Sequence, residues 1–381
     1  MAITKTFTAG ADRFVANSPD TFWLDFLAGD DSLTIKAGRV TGRMGLGDDF
    51  VRIDAGLATV FGHAGADRFS IYANRAVVDG GADADTIHIR GGSNHILSGG
   101  AGDDRISFVT GSAGEKIYGG LGNDLVIGNG HDIGGQIYGE QGADRFHGFG
   151  HAGARTVTLY GGIGNDIYDI RRGGEPAVVE RAGEGADTVQ LARGLSYTLG
   201  DNVENLTVIG GGSPSLITSL RGNVLANRIT GSADAERLYG LGGNDTLSAG
   251  GGTDAIFGGP GNDRITGGAR IDYVETGTGR DVIAYTSVAD APVNTAMGFE
   301  EISDFDFALD RIDVSAIDAD TTRPGHQRFH LGGTRAGSIE WGVFAGMDVL
   351  LHTDDDGEAD MYIYIATGTE DVPLTIDHFI I

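Results

Sequence analysis

The chain has 381 residues, of which 66 are glycine and only 7 are proline, and it contains no cysteine. Disulfides, thiolate metal sites and thiol nucleophiles are therefore excluded. Its 54 acidic and 27 basic residues give a net charge of −27, which disfavours nucleic acid and anionic lipid as partners. The first residues, MAITKTFTAGADRF, lack the apolar core of a secretory signal, and no apolar run reaches membrane-spanning length, so any export is expected to use a signal elsewhere.

The first half of the chain carries an aspartate that recurs at intervals of 18 to 22 residues. An apolar residue follows each of these aspartates two positions later, from Phe14 to Val189. A glycine-rich turn precedes most of them, as in GGLGND (119–124) and GGIGND (161–166). The recurring aspartates are Asp12, Asp31, Asp49, Asp67, Asp85, Asp104, Asp124, Asp144, Asp166 and Asp187.

An interval of 18 residues suits one coil of a solenoid with a strand on each side, so these acidic loops should stack in one row along one edge. The other edge has lost most of its acidic loops, as in KAGRVTG (36–42), and should absorb the extra residues of the longer coils. A wider parallel β-helix is the alternative architecture for coils of 20 to 22 residues. Both alternatives are all-β.

From Asp245 to Asp281 the aspartates recur every nine residues, and Asn227 and Glu236 hold the same phase before them. The repeat reads G-G-x-G-x-D-x-U-x, the nonapeptide of calcium-binding parallel β-rolls. Its glycines permit tight turns, and its aspartate supplies the hard oxygen that Ca²⁺ prefers. A disordered glycine-rich linker would not keep such a period. Because consecutive nonapeptides alternate edges, every second aspartate should lie on the same edge.

These repeats resemble those of the RTX family of proteins exported by bacterial type I secretion. Residues 284–381, which include EEISDFDFALDRIDVSAIDA, resemble the C-terminal domain of serralysin-type proteases. The resemblance implies that Ca²⁺ lies between stacked loops, held by aspartate carboxylates and loop carbonyls. It also implies an extracellular location and an export signal within the final acidic-then-apolar residues 377–381.

We thus predict a parallel β-roll, or β-solenoid, in four segments: an N-terminal solenoid (1–190), metal-free transition coils (191–221), a regular roll (222–283) and a C-terminal β-rich cap (284–381). The predicted calcium ligands are the carboxylates of Asp31, Asp49, Asp67, Asp85, Asp104, Asp124, Asp144, Asp166, Asp187, Asp245, Asp254, Asp263, Asp272 and Asp281, together with loop residues Gly120, Gly122, Gly162, Gly164, Gly259 and Gly261.

Motifs for catalysis are missing from the sequence. It has no zinc-protease H-E-x-x-H and no G-x-S-x-G nucleophile elbow, and the pair His147 and His151 in HGFGH lacks the glutamate and the helix that a zinc site of that kind needs. The leading hypothesis is a secreted, calcium-folded protein with a structural or binding role. The alternatives are a polysaccharide lyase or epimerase on the N-terminal solenoid, and a surface-layer or adhesion protein. A line of basic and acidic side chains along one solenoid face would favour the enzyme.

Overall fold

The computed structural model describes residues 2–150, 155–212, 217–293, 298–343, 347–366 and 374–381. The regular structure is almost all β, and parallel sheets wind the chain into β-solenoid coils, about 14 in total, as in a parallel β-roll. This confirms the all-β solenoid expected from the sequence. The chain divides into two compact units: unit 1 is Met1–Gln190 with Gly200–Asn202, and unit 2 is Leu191–Leu199 with Val203–Ile381.

The described part of unit 1 contains nineteen strands and the start of a twentieth. Their bounds are β1 (Ala2–Thr6), β2 (Arg13–Ala16), β3 (Thr21–Asp25), β4 (Ser32–Ile35), β5 (Arg39–Leu46), β6 (Phe50–Ile53), β7 (Leu57–Ala64), β8 (Arg68–Ile71), β9 (Val77–Ala82), β10 (Thr86–Ile89), β11 (Ile96–Ala101), β12 (Arg105–Phe108), β13 (Ser112–Leu121), β14 (Leu125–Ile127), β15 (Ile133–Gln141), β16 (Arg145–Phe149), β17 (Val157–Ile163), β18 (Ile167–Ile170), β19 (Ala177–Val179) and β20 (Thr188–Arg193).

The odd-numbered strands β1 to β19 form one parallel sheet, in chain order. The even-numbered strands β2 to β18 pair in succession, also in parallel, so that Ser32 pairs with Phe50 and Phe50 with Arg68, in steps of 18 residues. Short connections such as 47–49, 83–85 and 122–124 carry the aspartates into each even strand. The reverse connections vary more, as in 36–38 and 90–95, so the extra residues do fall on the second edge.

Unit 2 contains the other strands of the described residues and two short 3-10 helices, Val288–Asp290 and Ile376–His378. The strands are β21 (Tyr197–Thr198), β22 (Asn205–Gly212), β23 (Thr218–Arg221), β24 (Arg228–Thr230), β25 (Glu236–Tyr239), β26 (Thr246–Gly251), β27 (Ala255–Pro260), β28 (Arg264–Ala269), β29 (Tyr273–Thr278), β30 (Val282–Ala284), β31 (Glu300–Ile302), β32 (Arg311–Asp313), β33 (His330–Leu331), β34 (Ser338–Val343), β35 (Met347–His352), β36 (Met361–Ile365) and β37 (Phe379–Ile380).

Both sheets of the roll continue into residues 284–381. In one sheet β30, β32 and β37 pair in parallel, so the chain's last strand completes a coil. In the other sheet β31 pairs in parallel with β29 and β36, and the antiparallel strands β35 and β34 are added beyond β36. Strand direction therefore changes only after the roll has been extended.

The core of each unit is built from the apolar residue that lies two positions after each loop aspartate. These side chains alternate with outward-facing neighbours, and stacking coil upon coil removes them from water. Each such burial stabilises the fold by roughly 1.5–3 kcal/mol. The residues that are 0% exposed are Leu33, Val51, Phe69, Ile87, Ile106, Val126, Phe146, Tyr168, Val189, Leu247, Ile256, Ile265, Val274 and Ile283.

Candidate calcium sites

One unbroken ladder of hydrogen bonds joins the acidic loops of unit 1. The backbone N–H of each aspartate donates to Oδ1 of the aspartate one coil later, with N···O distances of 2.6 to 2.8 Å. The predicted stacking in a single row is thereby confirmed. The row runs through Asp12, Asp31, Asp49, Asp67, Asp85, Asp104, Asp124, Asp144, Asp166 and Asp187.

Unit 2 has two such rows, one on each edge. Asp245 donates to Asp263, and Asp263 to Asp281, each over 2.8 Å. On the other edge Asp254 donates to Asp272, also over 2.8 Å. Consecutive nonapeptides do alternate edges, because each one supplies a single strand and the next strand belongs to the opposite sheet.

The ladder uses only one oxygen of each carboxylate. The predicted aspartates are all at most 2% exposed. Except at Asp187, their Oδ2 atoms are buried without a hydrogen-bond partner among the described residues. A buried acceptor without a donor costs about 1–3 kcal/mol, and more when it is charged. A row of hard, inward-facing oxygens of this kind fits Ca²⁺, whose protein ligands are carboxylate and carbonyl oxygens.

Burial also changes the acidity of these groups. It raises the pKa of Asp124 to about 8, opposed by the backbone N–H of Asp104 and reinforced by the neighbouring carboxylates. In unit 2 burial raises the pKa of Asp263 to about 6 and that of Asp272 to about 8. Without a cation, loop carboxyls such as Asp124 and Asp272 therefore hold a proton at neutral pH. A bound cation would take the place of these protons and restore the charged carboxylates.

The first glycine of each loop is the one that lies closest to the free carboxylate oxygen. A methyl group added to Gly119 would overlap Oδ2 of Asp124 and the carbonyl oxygen of Gly139, the first glycine of the next coil. This oxygen pair recurs at Gly139 and at Gly240. The repeat motif predicts other loop glycines as ligands, such as Gly120 and Gly122, and that role stays a prediction.

Those predicted glycines lie in the turn itself. All six have positive φ, from 101° to 147°. At Gly261 (φ 147°) an added methyl group would also overlap the carbonyl oxygen of Gly243 in the coil before, so both the conformation and the close stacking require glycine there. The six residues are Gly120, Gly122, Gly162, Gly164, Gly259 and Gly261.

The rows of unit 2 extend beyond the residues that the periodicity identified. Asp281 donates its N–H to Oδ1 of Asp310 over 2.9 Å, and Asp272 donates to Oε2 of Glu300 over 2.8 Å. Sequence reasoning missed both acceptors because the intervals, 29 and 28 residues, exceed one coil. The signal that could have found them is the apolar residue two positions later, Ile312 and Ile302, each 0% exposed.

One further acid on the second edge of unit 1 was also missed. Nδ1 of His95 accepts the backbone N–H of Ala76 over 3.2 Å, and the backbone N–H of His95 donates to Oε2 of Glu115 over 3.1 Å. The two side chains thus repeat the ladder geometry on the edge that has lost its aspartates. Burial raises the pKa of Glu115 to about 7.

Parallel coils that each place a buried aspartate in a row define a β-solenoid protein built from sequence repeats. Residues 109–132, 230–265 and 266–284 match the model of the RTX calcium-binding nonapeptide repeat, in four copies. The chain therefore carries calcium-binding RTX repeats, which confirms the resemblance seen in its sequence. The match does not extend to the serralysin-like region, whose assignment stays a prediction.

Two solved structures resemble part of the chain. The solution structure of the AlgE6R2 subunit from the Azotobacter vinelandii mannuronan C5-epimerase is 24% identical and covers 36% of this chain and 86% of that one, with a TM-score of 0.28. The AlgE6R3 subunit of the same epimerase is 26% identical and covers 44% and 82%, with a TM-score of 0.26. No curated protein sequence matches the chain.

Proposed function

We propose that this protein is a secreted RTX protein whose acidic loops bind several Ca²⁺ ions outside the cell and complete its folding as they bind. Its role is then structural or one of binding, without catalysis. The observation that carries this proposal is the row of buried carboxylate oxygens without hydrogen-bond donors among the described residues. Those oxygens oppose folding until a cation reaches them, and the net charge of −27 opposes compaction further.

The difference in free calcium concentration across the membrane determines on which side of it the protein folds. Extracellular calcium modules bind at about 10⁻⁴–10⁻³ M, far above the free calcium of a cytosol. Inside the cell the loops stay empty and the coils stay largely unfolded, because a single coil buries too little apolar surface to hold its shape. Outside, calcium binding and folding are one process.

Circular dichroism and melting temperature test this proposal. In excess chelator we expect reduced β-structure, and added Ca²⁺ should restore it more steeply than single-site binding allows. Mg²⁺ should substitute poorly because it requires a tighter octahedral shell. A chelated protein with a complete β spectrum and an unchanged melting temperature would refute the proposal.

Export belongs to the same proposal. Residues 284–381 resemble a serralysin-type C-terminal domain, so we assign to residues 377–381 the signal read by a type I exporter. Among the described residues no helix is long and apolar enough to cross a membrane. Deleting residues 377–381 should impair export by a cognate transporter. It should leave calcium-driven folding mostly intact, although Phe379 is buried in the last strand. Normal export of the truncated chain would contradict the assignment.

A second candidate function is the binding of an acidic polysaccharide on the outer face of the even-stranded sheet of unit 1. Arg68, Arg105 and Arg145 occupy one register column on alternate strands, about 10 Å apart. The neighbouring column holds His147 beside a fully buried Asp169. A line of basic and acidic side chains on one face is the feature that favours a polysaccharide-modifying protein.

The β16–β18 end of this face holds a fixed charge cluster. Nδ1 of His147 lies 2.7 Å from Oδ2 of Asp169, and Nε of Arg171 lies 2.5 Å from Oδ1 of the same carboxylate. The bond at Nδ1 leaves Nε2 of the partly exposed His147 ring as the nitrogen that a ligand could contact. His151, its partner in the HGFGH motif, lies outside the described residues.

The test is binding of the calcium-loaded protein to a polyuronate, with a neutral polysaccharide for comparison. Arg105→Ala should weaken polyuronate binding severalfold, and added salt should weaken it further. Arg43→Ala on the odd-stranded sheet is the matched control and should have no effect. Equal affinity for both polysaccharides, or equal losses in both variants, would exclude this candidate.

A further inference from the structure

The row of unit 1 ends in a cluster of three acids that the repeat motif does not provide. Carboxylate oxygens of Asp166, Glu180 and Asp187 all lie within 4.8 Å of one another. The three residues are 0%, 5% and 1% exposed. Asp166 and Asp187 belong to the periodic row. Glu180 does not, because it directly follows the short strand β19.

Glu180 replaces a backbone carbonyl of the regular loops. In the preceding coils the free Oδ2 faces the first glycine's carbonyl one coil later, so that Asp144 Oδ2 and the Gly161 carbonyl both border Gly139. At Gly161 the corresponding neighbours are Oδ2 of Asp166 and Oε1 of Glu180. The last loop of the row thus exchanges a neutral oxygen for a charged one.

The contacts around Glu180 hold it in this position. Its Oε1 accepts a hydrogen bond from the hydroxyl of Tyr168, which is itself 0% exposed. Its Oε2 lies 3.5 Å from the backbone N of Gly162. The nearby Arg181 reaches outward to Glu184, at 3.4 Å, instead of neutralising the cluster.

One oxygen in the cluster lacks a donor. Oδ2 of Asp166 is buried and has no hydrogen-bond partner among the described residues. Asp187 is oriented by its Oδ1, which accepts the N–H of Asp166 over 2.8 Å. Three buried carboxylates this close repel one another, and a cation placed among them offsets that repulsion while the groups stay ionised.

We propose that Asp166, Glu180 and Asp187 form a three-carboxylate Ca²⁺ site at the end of the row, in which Glu180 replaces the carbonyl of a regular loop, and that this site binds the ion more tightly than the regular loops do. The donors are all hard oxygens, without nitrogen or sulfur, which selects calcium-like cations. The identity of the ion rests on the function proposed above. Because Glu180 belongs to the connection between β18 and β20, an ion here also ties residues 171–187 to the end of the row.

Terbium luminescence of the full-length protein tests the site. Tb³⁺ replaces Ca²⁺ at oxygen sites, and the Tyr168 hydroxyl beside Glu180 places an excitable ring next to the ion. In the wild type we expect a tight first phase before the weaker loops fill. Glu180→Gln should weaken that phase roughly tenfold or more. Glu175→Gln, an exposed acid in the same connection, is the matched control and should leave it unchanged.

Stability separates a metal ligand from a merely structural residue. A glutamine at position 180 keeps the size of the glutamate and removes one negative charge from the buried cluster. Glu180→Gln should therefore melt at the same or a higher temperature than the wild type in chelator, and at a lower temperature in calcium. A drop of equal size in both conditions assigns Glu180 a structural role and overturns the proposal.

The remaining outcomes distinguish this inference from the proposed function. If the wild type binds calcium and Glu180→Gln retains the same number of sites and the same affinities, the three-carboxylate site is refuted while the calcium-binding function stands. If the wild type binds no calcium, both fail. Loss of the tight phase in Glu180→Gln alone, with the other phases intact, supports the site.

Discussion

Replacing Asp263 with asparagine should change stability in opposite directions with and without calcium. Oδ1 of Asp263 accepts the N–H of Asp245 over 2.8 Å, and asparagine keeps that acceptor. The Oδ2 atom of Asp263 has no donor among the described residues, and it lies by Gly258 together with the carbonyl oxygen of Thr276. The amide that Asp263→Asn introduces would place an N–H there.

The magnitudes follow from the acidity and from mass action. A pKa of about 6 in place of 3.8 corresponds to at most about 3 kcal/mol against the charged loop at pH 7. Water near the loop screens part of this, which leaves on the order of 1–2 kcal/mol that the variant regains in chelator. In calcium, a site filled at 100 times its dissociation constant contributes about 2.7 kcal/mol, and this is what the variant loses.

Denaturant unfolding of Asp263→Asn in chelator and in millimolar calcium measures both changes. The exposed Asp356→Asn is the control and should change neither value. An Asp263→Asn variant that is destabilised equally in both conditions, or that keeps the wild-type gain from calcium, would refute the reasoning, because Oδ2 would then be no ligand.

Three further predictions concern acidity, glycine and the end of a row. Burial raises the pKa of Asp49 to about 7 and that of Asp124 to about 8, so these groups bind protons on folding; the chelated protein should lose stability as pH rises from about 4 to 8, and unfolding at pH 5 and pH 8 checks this. Equal stability at the two values would contradict it. Gly119→Ala should cost more than about 2 kcal/mol, since the methyl group overlaps two oxygens, whereas Gly173→Ala meets nothing within 4 Å and should be neutral by the same melting assay. Tyr285→Phe removes the hydroxyl that lies 3.2 Å from Oε1 of Glu300 and should cost about 1–3 kcal/mol, equally in chelator and in calcium; a larger loss in calcium would show that this row end needs the ion.

The rows could be predicted from sequence because one coil fixes three things at once. In the loop before β8, a single interval sets the hydrogen bond from Asp67 to Asp85, the burial of Phe69 and the turn before the strand. Because the ladder, the core and the turn all depend on this interval, the interval is still recognisable where the glycines vary, as in GHAGAD (62–67).

Residues that act outside the period could not be predicted. Glu180 reaches its position from an irregular connection and does with a side chain what the other coils do with a carbonyl. Asp310 and Glu300 continue their rows, but longer connections precede them and conceal the interval. In these cases the stacking of coils brings the acid next to the row, and its spacing along the sequence does not predict this position.

The ends of the rows differ from their interiors in the hydrogen-bond donors that reach each carboxylate. In unit 2, Glu300 receives one N–H and one hydroxyl, from Asp272 and Tyr285. Asp310 receives the N–H groups of Asp281 and Asp306, one on each oxygen. In both acids, which are the last of their rows, each carboxylate oxygen therefore accepts a hydrogen bond from the protein. Within the rows each aspartate receives one N–H from the preceding coil and faces a carbonyl oxygen of the next coil, and a carbonyl cannot satisfy a carboxylate. Under the proposed function, Ca²⁺ is needed wherever a carboxylate oxygen of one coil faces a carbonyl oxygen of the next. A coil can then dispense with the ion only by replacing its aspartate or by bringing in a donor from outside the repeat.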